Sequence, residues 1–139
     1  MSDELILLVE DDTVYRKLIR RYLLGMGYPD PLQAINVQVA LDLARKERPA
    51  LVLMDIDLPG GMDGIEAASL IRSSHGIPAV FVTALTDPTL IDRARSAKPV
   101  GYLVKPINKL SLHGTILIGL ERHRLERQLE AREILRAKT

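Results

Sequence analysis

Acidic, hydroxyl and lysine side chains follow apolar runs of the sequence, at positions where buried strands would end. In chain order they are Glu10, Asp11, Asp12, Asp55, Asp57, Thr83 and Lys105. Carboxylates, a hydroxyl and a lysine together can position and neutralise a phosphoryl group that is transferred onto an aspartate. Each of these residues alone would be an ordinary solvated strand end, so the prediction depends on their meeting at one place.

The concentration of carboxylates predicts a cation at that place. Two carboxylates about 4 Å apart repel each other by about 4 kcal/mol at an effective dielectric constant of about 20. Lys105 is the one positive side chain that the pattern places among them. Oxygen ligands without histidine or cysteine favour Mg²⁺ over zinc, and protein-bound Mg²⁺ commonly joins one or two carboxylates to a phosphate oxygen. The sequence therefore indicates Mg²⁺-assisted phosphoryl chemistry.

The elements that must position these residues are short strands separated by amphipathic segments. Four runs lack polar alternation, which is typical of parallel strands covered on both faces. They are Leu5–Val9, Leu51–Met54, Ala79–Val82 and Tyr102–Val104. With a weaker strand at Leu32–Ile35, the alternation predicts a doubly wound α/β fold with five parallel strands and helices on both faces. Sites in such a sheet form at the carboxyl ends of the strands.

The segments between the strands carry helix start signals. Asn36 is placed to cap the second helix, and Pro88 to open the fourth. A last helix is predicted from about Lys109 to Arg136, where no proline intervenes. It would be about 42 Å long at about 1.5 Å per residue, which exceeds the width of a domain of this size, so its end must project. Sustained heptads are absent, so a coiled coil is weakly supported.

Composition limits the class of protein. The chain has 139 residues, of which 47% are hydrophobic and 27% charged, as expected for one globular domain. The absence of cysteine excludes disulfide scaffolds, thiolate zinc sites and cysteine nucleophiles. The net charge of +1 indicates no general attraction to nucleic acid or anionic membrane. No apolar run approaches the roughly 20 residues of a membrane span, and the start Met1–Glu4 lacks the basic residues of a signal peptide, so we expect a cytoplasmic protein without a membrane partner.

Four motifs in this order resemble the receiver domain of two-component response regulators. They are Leu7–Asp12, Leu53–Pro59, Val82–Ala84 and Gly101–Pro106. The resemblance covers about residues 4–120 and implies a flavodoxin-like sheet with strand order 2-1-3-4-5. We therefore expect a receiver domain at residues 1–120, followed at residues 121–139 by an extension of the last helix that acts as a linker or docks a partner.

The resemblance also implies roles at the site. Asp55 would accept a phosphoryl group from a sensor histidine kinase or a histidine phosphotransfer protein. Asp12 and Asp55 would bind Mg²⁺ directly, together with the backbone carbonyl of Asp57, and Asp11 would act partly through water. The protein would be a phospho-acceptor that assists its own phosphorylation and slow dephosphorylation, not an enzyme.

A switch and a partner surface follow from the same resemblance. Thr83 would bond a phosphoryl oxygen, and Lys105 would pair with the phosphoryl charge. The Lys105–Pro106 bond would be cis, and Tyr102 would turn inward when Thr83 moves. The fourth helix, fifth strand and fifth helix, with the C-terminal extension, would form a possible homodimer surface. Two local features bear on the lifetime of the phosphorylated form and on access to Asp55. Leu85 offers no hydrogen bond to a water that would hydrolyse the phosphoryl group. The loop Leu58–Gly64 is one residue longer than the form commonest in the family.

Two other functions fit part of the pattern. Asp55 and Asp57 resemble the DxD motif of haloacid-dehalogenase phosphatases, with Thr83 and Lys105 as the next two motifs. That family places its further acidic pair after the lysine, whereas here the acidic pair comes first. The second alternative is a receiver-like scaffold that works without phosphorylation. Such a scaffold would not require the acids, the hydroxyl and the lysine, so the presence of the complete set argues against it.

Overall fold

The computed structural model describes residues 3–57, 63–84 and 88–138. Strands and helices alternate along them. The strands are β1 Ile6–Val9, β2 Leu32–Ala34, β3 Leu51–Asp55, β4 Ala79–Thr83 and β5 Gly101–Val104. The helices are α1 Thr13–Gly25, α2 Val37–Glu47, α3 Gly64–His75, α4 Pro88–Ser96 and α5 Lys109–Lys138. The expectations for Leu85 and for loop residues 58–62 lie outside the described residues.

The strands form one parallel sheet with the order β2-β1-β3-β4-β5. This confirms the predicted fold class and strand order. The register pairs Val9 with Met54, Asp55 with Val82, and Thr83 with Val104. Because the strands run in the same direction and end nearly level, the residues that follow them share one edge of the sheet.

Apolar side chains fill both faces of the sheet, which explains why the strands lack polar alternation. In β3, Leu51 and Leu53 join the apolar cluster beneath α1 and α5, whereas Val52 and Met54 join the cluster beneath α2 and α3. All four are fully buried. A strand at the centre of a doubly covered sheet must be apolar at every position, and only its last residue, Asp55, carries a charge.

A capping residue and a proline mark the starts of α2 and α4, as predicted from the sequence. The Asn36 side chain accepts a hydrogen bond from the backbone N–H of Val39 at 2.9 Å and caps α2. Pro88 is the first residue of α4. At α3, Asp63 accepts a hydrogen bond from the N–H of Glu66 and forms an ion pair with Arg93 of α4. That ion pair ties the starts of α3 and α4 together.

The last helix is one continuous element. Its 30 residues correspond to a length of about 45 Å. Leu112, Ile116 and Gly119 are its buried residues, and they lie in its first half. A Cβ atom on Gly119 would come within 2.9 Å of Val100, so glycine permits the helix to pass close to the start of β5. From residue 121 to residue 138 the helix is exposed or half-buried. Across the described ranges, none of the helices is both long and apolar enough to cross a membrane.

Candidate functional site

Three carboxylates meet at the carboxyl edge of the sheet. Glu10 follows β1 directly, Asp11 comes next, and Asp55 ends β3. One oxygen from each of these residues lies within 4.8 Å of the others. Glu10 and Asp55 are 1% and 3% exposed, whereas Asp11 faces solvent. The backbone holds Glu10 in place, because its N–H donates to the carbonyl oxygen of Ala34 at 3.0 Å.

Asp12 has a different task from the one expected. Its Oδ1 atom accepts hydrogen bonds from the N–H groups of Val14 and Tyr15, at 2.9 and 3.3 Å, so its carboxylate caps α1. The structure does not bring Asp12 into the carboxylate group, and Glu10 stands there instead. The neighbouring carboxylates are therefore those of Glu10, Asp11 and Asp55, whereas the resemblance implied Asp11, Asp12 and Asp55.

Lys105 reaches into the carboxylate group from the end of β5. Its Nζ atom lies 2.7 Å from Oε1 of Glu10 and 3.6 Å from Oδ2 of Asp55. The same atom lies 4.4 Å from the centre of the Tyr15 ring, which is a cation–π contact. The Lys105 side chain is 14% exposed. The Lys105–Pro106 bond is cis, as expected, and the Lys105 N–H donates to the carbonyl oxygen of Thr83 at 2.8 Å.

The backbone around Asp55 fixes the direction of its carboxylate. Oδ1 accepts a hydrogen bond from the N–H of Asp57 at 2.9 Å, while Oδ2 faces Lys105. Gly64, at the start of α3, packs tightly behind this turn. A Cβ atom on Gly64 would lie 2.5 Å from the carbonyl oxygen of Asp55 and 2.9 Å from Cα of Ile56, so any larger residue would push the turn away.

Burial and neighbouring charges shift the pKa values of Glu10 and Lys105. Burial raises the pKa of Glu10 to about 7, and a hydrogen bond with Asp55 acts in the same direction against the opposing effect of Lys105. Burial would lower the pKa of Lys105, but the hydrogen bond to Glu10 and the charge of Asp55 outweigh it, so that pKa is raised. The lysine therefore stays charged at neutral pH, and a second cation would favour the fully ionised carboxylates.

Thr83 and Asp57 influence each other beside Asp55. Thr83 is 3% exposed, and it acts to lower the pKa of the Asp57 carboxyl. Burial, and then the negative charge of Asp55, raise the pKa of Asp57. The carboxylate of Asp57 is thus a neighbour of the hydroxyl that was predicted to bind a phosphoryl oxygen.

Tyr102 lies on β5 beyond the site. Its side chain is 39% exposed, and its ring centre is 6.2 Å from that of Phe81 with the ring planes tilted by 52°. The ring is therefore half outside the core in this conformation.

Similar proteins of known family identify the family of this chain. A sequence profile described as the response regulator receiver domain matches residues 6–117. The transcriptional regulatory protein PdtaR of Mycobacterium tuberculosis is 37% identical over 119 residues, which cover 86% of this chain and 58% of that protein. The DNA-binding response regulator MtrA of Mycobacterium leprae is 32% identical over 118 residues, which cover 85% of this chain and 52% of that protein. This chain belongs to the response regulator receiver family.

Solved structures agree with this receiver assignment. The signal receiver domain of a modulated diguanylate cyclase from Desulfovibrio desulfuricans G20 has a TM-score of 0.85 and 31% identity, covering 90% of this chain and 99% of that one. A CheY-like receiver domain protein from Methanospirillum hungatei JF-1 has a TM-score of 0.81 and 27% identity, with the same coverage. The receiver chain spans about half the length of the curated relatives it matches.

The donor set of this receiver suits a hard cation. The neighbouring ligand atoms are carboxylate oxygens, and hard divalent ions prefer oxygen over nitrogen or sulfur. Glu10 and Asp55 are buried with their charges close together, and one lysine offsets part of that charge. The residues present therefore fit a bound divalent ion.

The sequence pattern names Glu10 among the acids at this edge but gives it no separate role, and it does not name Tyr15 or Arg16. In the structure Glu10 supplies a buried carboxylate. Tyr15 contacts Lys105, and Arg16 donates from Nη1 to the carbonyl oxygen of Glu10 at 3.1 Å. The sequence did contain a signal for Tyr15 and Arg16. The first turn of a helix that directly follows a strand must lie over the end of that strand, so residues in that turn can reach the site.

Proposed function

We propose that this receiver domain is a phosphorylation-dependent signalling switch in which Asp55 accepts a phosphoryl group. The observation that carries the proposal is the position of Lys105, whose Nζ atom lies 3.6 Å from the Oδ2 atom of Asp55, while Oδ1 is held by the backbone. A buried carboxylate with one oriented oxygen and an adjacent ammonium is suited to attack on phosphorus.

The donor would be a phosphohistidine on a sensor histidine kinase or a histidine phosphotransfer protein. The bond between phosphorus and the donor nitrogen breaks as the bond to the Asp55 oxygen forms, and the electron pair remains on the imidazole. Lys105 offsets negative charge on the phosphoryl oxygens, and Thr83 donates its hydroxyl hydrogen to one of them. The residues position and neutralise the reacting group.

A bound Mg²⁺ would be held by Asp11, Asp55 and the backbone carbonyl of Asp57, with Glu10 acting through water. It would supply charge neutralisation at the carboxylates and at the phosphoryl oxygens. This assignment follows the observed carboxylate group and replaces Asp12, whose oxygen already caps α1.

The switch would couple Thr83 to Tyr102. A phosphoryl group adds strong acceptors and up to about two negative charges, which would draw the Thr83 hydroxyl away from Asp57. The space vacated by Thr83 would admit the Tyr102 ring, which now stands 39% exposed. Inward rotation would change the surface of β5 and its neighbouring helices, and so the choice of partner.

Phosphorylation is tested by intact mass after treatment with acetyl phosphate and Mg²⁺. Wild-type protein is expected to gain one phosphoryl group, and Asp55→Asn none. Chelation of Mg²⁺ should prevent the gain. An unmodified wild type would contradict the proposal and favour a phosphorylation-independent scaffold. Repeated turnover of a small phosphoester, instead of a single mass gain, would indicate a phosphatase.

The extension at residues 121–139 and a homodimer belong to the same proposal. Apolar side chains are exposed on α4, β5 and α5: Ile91 at 40%, Val104 at 53% and Ile118 at 69%. We expect a second copy to cover this face after phosphorylation. Equilibrium sedimentation with and without beryllofluoride tests this, and a monomer under both conditions would contradict it.

A further inference from the structure

We infer that Tyr15 is a positioning residue for phosphoryl transfer, because its ring holds the Lys105 ammonium group beside Asp55. This inference rests on the proposed function and extends it to a residue outside the set of acids, hydroxyl and lysine. Tyr15 would not touch the reacting atoms. It would act on the reaction through Lys105.

Tyr15 is held by the same local structure that begins α1. It lies in the first turn of the helix, and its N–H donates to the capping carboxylate of Asp12 at 3.3 Å. Its side chain is half-buried and packs against the apolar cluster beneath α1 and α5. The ring is therefore supported from below by the core, and its position is set by a capped helix end.

The Lys105 ammonium has three partners of different strength. Glu10 lies 2.7 Å away, Asp55 lies 3.6 Å away, and the centre of the Tyr15 ring lies 4.4 Å away. The nearest carboxylate belongs to Glu10, so the ion pair alone would draw the ammonium away from the acceptor. The ring face attracts the cation without adding a third carboxylate to an already crowded site.

The contact also suits a lysine that must change partners. When Asp55 carries a phosphoryl group, the ammonium must turn from Glu10 towards the new oxygens. Because Lys105 is 14% exposed, an ammonium that leaves its partners must regain water or find another attractive surface. The aromatic face offers such a surface within the site, whereas an aliphatic side chain would exclude water without attracting the charge.

The test compares Tyr15→Phe, which keeps the ring, with Tyr15→Leu, which keeps an apolar side chain without a π face. The readout is the phosphorylation rate constant at saturating acetyl phosphate and Mg²⁺. Cation–π contacts of about 0.5 to 2 kcal/mol correspond to a rate loss of about 2- to 30-fold in Tyr15→Leu. Tyr15→Phe should stay within about twofold of the wild type, since the phenyl face retains most of the attraction.

Tyr22→Leu is the matched control. Tyr22 lies on α1 two turns further along and packs partly buried against the same apolar cluster. The same aromatic-to-aliphatic change should therefore cost similar stability by thermal melting but leave the rate constant unchanged. The Mg²⁺ concentration that gives half the maximal rate should be the same in all variants, because Tyr15 acts on the lysine.

The outcomes separate the two proposals. Wild-type protein that takes up no phosphoryl group would refute the proposed function, and the role of Tyr15 with it. Phosphorylation of the wild type with an equal rate in Tyr15→Leu would refute the role of Tyr15 alone. Equal losses in Tyr15→Phe and Tyr15→Leu would also refute it, because the aromatic face would then not be the feature that matters.

Discussion

Asp11 and Asp12 are neighbours with the same side chain, and the structure gives them opposite roles that can be separated by substitution. Asp12 caps α1 through two hydrogen bonds, at 2.9 and 3.3 Å, whereas Asp11 belongs to the carboxylate group. Asp12→Ala should lower the free energy of unfolding by about 1 kcal/mol, the usual cost of a lost N-cap. For a domain of this size that loss corresponds to about 2 to 6 °C in melting temperature.

The variants Asp12→Asn and Asp11→Asn distinguish the effect of the helix cap from the effect of the carboxylate charge. Asparagine caps helices about as well as aspartate, so Asp12→Asn should keep both the stability and the Mg²⁺ requirement of the wild type. Asp11→Asn removes a carboxylate from a crowded group, so its stability should be equal to or higher than that of the wild type. It should, however, need at least about tenfold more Mg²⁺ for half-maximal phosphorylation, since a charged oxygen ligand is lost.

The assay is the rate of phosphorylation by acetyl phosphate over a Mg²⁺ titration, combined with thermal melting monitored by circular dichroism. The reasoning fails if Asp12→Asn raises the Mg²⁺ requirement as much as Asp11→Asn does. That result would restore the ligand pair that family resemblance implied, and would place the cap in a secondary role.

Three further substitutions or conditions test other parts of the site. Gly64→Ala should destabilise the protein by about 1 to 3 kcal/mol in urea denaturation and slow phosphorylation, because its Cβ would lie 2.5 Å from the carbonyl oxygen of Asp55. Asp57→Ala removes a carboxylate whose pKa is affected by Thr83, so beryllofluoride titration should reach half-saturation at a lower concentration than in the wild type. An unchanged or higher midpoint would show that Asp57 does not restrain Thr83. Burial would raise the pKa of Asp63, but hydrogen bonds from its arginine partner and from the α3 backbone outweigh it, so the pKa is lowered. The stability that this carboxylate adds relative to Asp63→Asn should be present at neutral pH and disappear as the pH falls below about 4, and a constant difference across that range would contradict it.

The sheet is predictable from the sequence because several independent features of the sequence indicate the same strands. Each central strand is apolar up to its last position. A charged or hydroxyl residue ends or follows several strands, so the pattern alone locates the edge that carries Asp55, Thr83 and Lys105. The cis bond after Lys105 was expected from family resemblance, and the structure confirms it.

The acidic pair could not be located to one residue from the pattern. Three consecutive acids follow β1, and neighbouring side chains near a strand end point in different directions. A shift of one residue therefore exchanges a buried carboxylate for a helix cap. Glu10 was the residue to choose, because Asp12 directly precedes the helix and aspartate is a preferred cap there.

The role of Tyr15 depends on a contact between two residues 90 positions apart in sequence order. The sequence pattern places the first turn of α1 over the end of β1, but it does not indicate which side chain of that turn faces the lysine that follows β5. The pKa of Glu10 likewise depends on burial and on two neighbours from different strands. Such properties arise from tertiary packing.

The long α5 helix has a mechanical consequence. Its last buried residue is Gly119, which lies against Val100 beside the start of β5. Leu120 still packs against the apolar cluster beneath α1 and α5, and the Arg127 side chain lies beside Gly76. The 11 residues from 128 to 138 continue the same helix without a break, so they form a stiff arm about 16 Å long. A tilt of about 10° at the base of an arm of that length would move its tip by about 3 Å. A sub-ångström adjustment where the helix leaves the domain would thereby become a larger displacement at the far end of the arm.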